Sequence, residues 1–332
     1  SNYLDEEYKN FLQNINVSAS SVNNIVKSLL DSGHEVWVFT IGIKSEQIEG
    51  RNIHIIIIAG AKWNRIFPNL RQLSRKIKNA IDKYVGGLDV LHAHWCYEYA
   101  LAVVGYSESK PVFCTIRDWA PVIYSQISIK DRLRNILFKG YWRYKMGIFR
   151  EVLAVSTVNF IANSEYTASL FKKTYPNRRI EIIHNSIEDE IIVDKPIQHE
   201  NNFISIAMSL DDGRKNIKTL IEAFSSFCRH YDNYKLVLVG NYHRNGGIYE
   251  YANKSGVIDK IVFTGVKSRQ EIIKLLDESF CMVHPAYEET FGNILIEAMA
   301  RGTIVIGGKS SGAVPYVLNQ GKSGLLCDVS DW

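Results

Sequence analysis

The stretch HPAYEETFGNILIEAMARG, residues 284–302, places carboxylates inside an apolar pattern. From Ile294 to Ala300 it reads as a buried helix interrupted by Glu297, and Glu288 and Glu289 stand just before the helix start. The helix is expected to begin near Gly292 or Asn293 and to stop at Gly302, a residue suited to a helix C-terminus. Backbone N–H groups of Thr290, Phe291, Gly292 and Asn293 are then orphan donors of a helix amino end. With the helix dipole they form a site for an anion such as a diphosphate. Glu289 lies too close to that anion to be its ligand and suits sugar hydroxyls, as an acceptor of hydrogen bonds. Glu297 lies one to two turns into the helix and needs polar partners, because burying an unpaired carboxylate is costly. Ribose hydroxyls would serve. The alternative pairs Glu297 with Arg301, four residues on, and leaves Glu289 solvated. Spacing alone does not choose between the two.

A second position is His94, closing the run LDVLHAH (88–94). A histidine at the carboxyl end of a parallel strand is well placed for a ligand, although core histidines are common; His92 is expected to pack or to orient its neighbour. Other motifs are set aside. GKS at 321–323 suggests a phosphate-binding loop, but the pattern needs Gly where Tyr316 stands. No GxGxxG follows a first strand, which argues against a nicotinamide dehydrogenase. Five scattered cysteines, with no CxxC pair and no His at metal spacing, read as small buried residues in a reducing compartment.

The elements that must hold these residues alternate along the chain. Strands are expected at 35–41, 53–58, 90–94, 112–116, 160–163 and 180–185, with helices at 18–32, 69–84, 97–105, 128–154 and 165–174. Short β-branched runs separated by helices predict a parallel sheet covered on both faces. A polar stretch at 190–202 reads as a linker, and the alternation restarts at FISIAM (203–208) and runs to TIVIGG (303–308). The expected architecture is therefore α/β, with two doubly wound, Rossmann-like domains at 1–195 and 196–332 facing across a cleft. Both ends of the chain read as truncated.

Net charge is +4 with pI about 8.6, too weakly basic to argue for nucleic acid. The longest apolar run is far too short to span a bilayer. No signal-peptide pattern is read at the start, and the expected setting is the cytoplasm; the sequons at Asn16 and Asn253 carry little weight there. The segment 130–150 is basic with interleaved aromatics. It reads either as a solvated helix face over a core or as a contact with the anionic inner face of the cell membrane.

The run ETFGNILIE resembles the E-x7-E signature of family 4 of the retaining glycosyltransferases, which have the GT-B fold. SLLDSGHEVWVFT (28–40) is similar to that family's GHEV opening, LDVLHAH to its DVxHxH strand end, and EIIHNSIE (181–188) to its exit toward the linker. RKNIKTLIEAF (214–224) resembles the KGxxxLIxAF helix. KLVLVG and IVFTG match the two strands that follow, and KSSGAVPYVLNQGKSGLL (309–326) is similar to the closing glycine-rich motif. The likeness covers nearly the whole chain in order.

The resemblance implies a metal-independent hexosyltransferase whose co-substrate is a UDP- or GDP-linked sugar, with no cofactor. The acceptor would be a glycan or a lipid-linked glycan in cell-surface polysaccharide assembly. It implies that Glu289 contacts the donor sugar and that Glu297 holds the ribose. Amides of Phe291 and Gly292, with Thr290 and Asn293, would bind sugar and phosphate, and Gly265 and Val266 join the donor site. Lys215, with Arg214 beside it, would neutralise the leaving diphosphate, where transition-state charge builds. His94 would face the reacting centre, and Arg117 and Asp118, in TIRDWAP, become acceptor-side candidates, Arg117 replacing the usual His. Ser209 replaces a common Arg, NINVSAS (14–20) replaces a glycine-rich loop, and Tyr316 replaces a common Glu. Two rival expectations remain: a nucleotide-sugar epimerase of similar architecture, and a catalytically degenerate transferase acting as a partner subunit.

Overall fold

The computed structural model describes residues 20–60, 68–127, 133–193, 200–245 and 247–331. The expected boundary at 195/196, the loop at 14–19 and the start of the basic segment at 130–132 lie outside them. Contacts divide the chain into two units. One runs to Asn163 and takes in Thr167–Ile183; the other comprises Ser164–Tyr166 and His184 onward.

In the first unit the order is α1 (Ser20–Asp31), β1 (Val36–Gly42), β2 (Glu46–Glu49), β3 (Ile53–Ala59), α2 (Leu70–Ile81), β4 (Leu91–His94) and α3 (Glu98–Val103). Then follow β5 (Val112–Ile116), α4 (Ala120–Gln126), α5 (Leu133–Ala154), β6 (Asn159–Ala162), α6 (Glu165–Thr174) and β7 (Ile180–Ile182). The described strands form two sheets rather than one, ordered β1-β3-β2 and β4-β5-β6-β7. The second is wholly parallel. In the first, β1 and β3 are parallel and β2 is antiparallel. Pattern reading passes over β2 because EQIE carries no apolar run and its residues are mostly exposed. Phe39 and Ile41 of β1 pack against the same core as Leu91 and Ala93 of β4.

In the second unit β8 (Glu200–Ser209), β9 (Lys235–Asn241), β10 (Ile261–Gly265), β11 (Ser279–His284), β12 (Ile304–Gly308) and β13 (Leu325–Cys327) make one parallel sheet ordered β10-β9-β8-β11-β12-β13. The helices are α7 (Ile217–Phe227), α8 (Gly247–Asn253), α9 (Arg269–Asp277), α10 (Asn293–Ala300) and α11 (Val314–Val317). Alternation on β9 shows why both faces are covered: Leu236 and Leu238 enter one core, Val237 and Val239 the other. A strand buried on both faces has no polar side to display, which is why KLVLVG reads as a continuous apolar run.

The chain is also tied across the carboxyl ends of these strands. Ser311 Oγ donates to the Ala286 carbonyl at 2.6 Å, and Ala313 N to the Glu289 carbonyl at 2.8 Å. Gly312, between them, has φ +63°, and a Cβ there would stand 2.3 Å from the Glu289 carbonyl oxygen. Gly302 also has positive φ, +74°, but a Cβ there meets nothing within 4 Å. Gly302→Ala is expected to destabilise by about 1 kcal/mol, the cost of a side chain in the left-handed region. Gly312→Ala should exceed it, at about 2–3 kcal/mol, because rigid backbone blocks the new methyl. Urea unfolding midpoints test the ranking, and equal losses would show that the loop yields.

Candidate active site

Because the second unit's sheet is parallel, every strand delivers its following loop to one end. Two of these loops carry the acids and cations picked out in the sequence. After β8 the chain makes a tight turn at Gly213–Lys215, held by Asp212, whose carboxylate accepts from Arg214 N at 3.0 Å. Asp212 also takes the Arg214 guanidinium in a fork, at 3.1 Å from Nε and 2.7 Å from Nη2. Arg214 is thus bound to a local carboxylate. Asn216 follows in the left-handed conformation, φ 55°, and α7 begins. Lys215 projects the other way, and its ammonium donates to Glu289 Oε1.

His284, the last residue of β11 and buried, places Nε2 3.1 Å from the same Glu289 oxygen. Tyr287 N donates to the Arg214 carbonyl at 3.0 Å, so the backbones of the two loops are joined as well. Burial alone would raise the Glu289 carboxyl. The Lys215 charge, followed by His284, outweighs it and holds the group well below the usual carboxylate range. Lys215 and Glu289 therefore meet, with His284 as a third member that sequence reasoning passed over. The signal available was only its position at a strand end.

Glu297 behaves differently. On α10, 6% exposed, it accepts from Arg269 Nη1 at 3.0 Å. Arg269 opens α9 and also reaches Glu188 at 3.2 Å. Arg301 binds Asp277 at 2.6 and 2.7 Å and the Ile191 carbonyl at 3.0 Å, so the alternative pairing of Glu297 with Arg301 is not formed. Burial raises the Glu297 carboxyl in spite of Arg269. Gly292 turns the chain into α10, where Phe291 is buried with its ring 6.0 Å from that of His184. Asn293 Oδ1 accepts from Asn185 at 2.8 Å, and the Thr290 carbonyl accepts from Ser164 Oγ at 2.5 Å. Gly265 ends β10, and Val266 beyond it is 73% exposed. Ser209 ends β8, and Tyr316 is exposed on α11.

In the first unit His94 closes β4 and is half-buried. Its Nδ1 lies 3.0 Å from Arg117 Nη2 and 3.3 Å from Arg117 Nε, and Arg117 Nη1 donates to Ser21 Oγ at 2.7 Å. His92 is exposed, with Nε2 2.7 Å from Thr115 Oγ1. Asp118 accepts from the Tyr97 hydroxyl at 2.9 Å. Of the expected residues, Lys215 thus meets Glu289 and His94 meets Arg117, while Glu297 takes Arg269, which the sequence did not single out. Among the described residues no group of three or more His, Cys, Asp or Glu is placed to hold a metal ion.

Comparison with known proteins identifies the family and the fold. The family described as Glycosyltransferase Family 4 matches residues 18–191, and the one described as Glycosyl transferases group 1 matches 188–332. The chain is 23% identical over 319 residues to N-acetyl-alpha-D-glucosaminyl L-malate synthase of Bacillus anthracis, covering 92% of this chain and 78% of that protein. It is 26% identical over 218 residues to the O-antigen chain mannosyltransferase of Salmonella typhimurium, covering 64% of this chain and 60% of that one. Among solved structures, sucrose-phosphate synthase from Thermosynechococcus elongatus superposes with a TM-score of 0.73 at 18% identity, over 93% of this chain and 80% of that one. That likeness establishes the fold, two Rossmann-like units of GT-B class.

The Glu297 pair yields a test that needs no ligand. Arg269→Ala leaves a buried carboxylate with less compensation and is expected to destabilise by about 1–3 kcal/mol at neutral pH. A carboxyl whose pKa is raised by folding stabilises the fold below its unfolded pKa and loses that contribution as pH rises through the folded one. Removing Arg269 raises it further, so the deficit should be largest at pH 7 and shrink toward pH 5. Thermal midpoints of the two proteins across that range measure it, and a deficit independent of pH would remove Glu297 as its cause.

Proposed function

Because this chain belongs to glycosyltransferase family 4, we propose that it moves a sugar from a nucleotide diphosphate donor to a hydroxyl of a glycan or lipid-linked glycan, with retention of anomeric configuration. The reading rests on one observation above the others: Lys215 and His284 converge on a single oxygen of Glu289. Lys215 lies in the turn after β8, His284 ends β11, and Glu289 lies in the loop that leads from β11 to the amino end of α10.

In this reading the ion pair is the resting form of the site. A diphosphate seated at the amino end of α10 competes with Glu289 for the Lys215 ammonium. As Lys215 turns to the phosphate, Glu289 is released to accept from a hydroxyl of the donor sugar, still held by His284. Glu297 accepts from the ribose hydroxyls, and Gly265 and Val266 line the base. Retention requires the acceptor hydroxyl to arrive on the face that the diphosphate leaves. The leaving phosphate oxygen takes the acceptor proton, so no carboxylate nucleophile is needed. Charge on the departing diphosphate falls to Lys215 and the α10 amides, without a metal ion, and Arg214 contributes less because Asp212 already holds it. Donor binding belongs to the second unit, and acceptor-side contacts, including Asp118, to the first.

The setting is cell-surface polysaccharide assembly at the inner face of the cell membrane, a reading supported by the O-antigen relative. The first unit offers a surface for it. On α5, Ile136, Leu137 and Phe138 are exposed, and the stripe continues through Arg143 and Arg150. Lys139 and Lys145 do not join it, since their ammonium groups lie over the rings of Tyr124, and of Tyr97 and Trp142. No described helix is long and apolar enough to cross a membrane.

Four outcomes are expected. Lys215→Ala lowers turnover at saturating donor by about a hundredfold to a thousandfold, the usual loss for one oxyanion donor. The wild-type product keeps its anomeric configuration by NMR and forms in the presence of EDTA. An inverted product or an undiminished variant overturns the mechanism, and no nucleotide release with any acceptor points to a partner subunit. Glu289→Gln, having lost the competitor for Lys215, binds UDP or GDP more tightly than wild type in calorimetry yet turns over more slowly. Weaker binding would mean that the ion pair is no latch. Charge reversal at Arg143 and Arg150 reduces sedimentation with anionic liposomes at low salt; if the wild type stays in the supernatant, the membrane contact is dropped.

A further inference from the structure

The first unit contains a histidine whose protonation state is written in its contacts. β4 and β5 are parallel neighbours, with His94 opposite Thr115, so His94 and Arg117 leave the sheet side by side. The Arg117 guanidinium aims two nitrogens at His94 Nδ1, at 3.0 and 3.3 Å. A guanidinium has donors and no acceptor, so the atom that it faces must carry a lone pair. The imidazole is therefore neutral, with its proton on Nε2. An imidazolium would set N–H against N–H and charge against charge. Arg117 is itself anchored, through Nη1, to Ser21 Oγ on α1 at 2.7 Å.

Two further observations bear on the ring. Burial, with His92 and Arg117, holds the His94 imidazole down to about 2. Among the described residues, the titratable or charged groups that face it are His92 on its own strand, ring centroids 4.2 Å apart, and Arg117 beyond β5. The next residue, Trp95, is left-handed at φ 72°, an unusual conformation for a bulky side chain, and its N–H goes to the Thr115 carbonyl at 3.1 Å. Strain of this kind collects where a side chain must be aimed. Among the described residues nothing hydrogen-bonds to His94 Nε2.

We propose that Arg117 is a positioning residue that fixes His94 as a one-way hydrogen-bond donor, offering Nε2–H to a sugar oxygen and accepting no proton. The ligand feature recognised is a hydroxyl oxygen with a free lone pair. Arg117 works through His94 and takes no ligand contact of its own in this role. The inference rests on the sugar-transfer reading for what the proton meets, but not for where the proton sits.

The test separates the two. In the 15N-labelled full chain, long-range proton–nitrogen spectra, with His94 assigned by its loss in His94→Gln, should show the Nε2–H tautomer from pH 5 to 8. A proton on Nδ1, or a cationic ring in that range, overturns the proposal whatever the activity. Arg117→Ala should mix the tautomers, and Arg117→Lys should restore the wild-type pattern; a tautomer unchanged in Arg117→Ala also counts against it. For turnover, His94→Gln keeps an N–H donor and should stay within about tenfold of wild type. His94→Glu offers only an acceptor and should lose about a hundredfold or more, the scale of one lost transition-state donor. Equal losses would show that donation is not what His94 supplies.

Discussion

The Lys215–Glu289 ion pair is the constraint on which the second unit's functional end depends. It joins residues 74 apart in sequence, one in the turn after β8 and one in the loop after β11. Those strands are neighbours in the sheet, so the pair closes a short bridge between adjacent strand ends. A carboxylate this enclosed is tolerable only with compensation, and two donors at one oxygen supply it. The backbone repeats the connection through Tyr287 N and the Arg214 carbonyl, and again through Ala313 N and the Glu289 carbonyl. Gly312 lets the last of these form. Loop geometry and charge balance are therefore one problem with one solution.

The second carboxylate solves a different problem. Glu297 is enclosed within a helix that is otherwise apolar, and its charge is met by Arg269 alone among the described cations near it, itself shared with Glu188. The result is a carboxyl raised by burial, where Glu289 is lowered by its neighbours. Two acids eight positions apart have opposite electrostatic settings. One is held by a lysine and a histidine, and the other sits beside an arginine at the start of α9. The proposed donor site, for a charged diphosphate and neutral sugar hydroxyls, would have use for both settings.

In the first unit the same logic runs through a neutral group. Arg117 places a positive charge against an imidazole and thereby forbids a second one. The arrangement turns an amphoteric side chain into a donor of fixed direction. It also gives a physical reason for an arginine at a position where the resembling family usually carries histidine. Two histidines facing each other could trade a proton, whereas an arginine cannot accept one.

The sequence by itself determined the class of fold and the position of most strands and helices, because these follow from periodicity and chain punctuation over a few residues. A helix start and a strand end also made Glu289, Glu297 and His94 candidates, since these are local features, whereas Lys215 became one only through the family resemblance. Pattern reading passed over β2, whose polar residues carry no burial signal, and the short elements α4, α11 and β13. It also predicted a single first-unit sheet where the described strands make two. The choice of partners was decided by tertiary structure. Glu297 took Arg269, 28 residues away, over Arg301, four away, because Arg301 is drawn to Asp277 at the far end of α9. Glu289 gained His284, and His94 gained Arg117, only once strand order and register set those strand ends beside one another. A charge's nearest neighbour in sequence is a matter of spacing, but its nearest neighbour in space depends on which strands pair. No short window of residues contains that information.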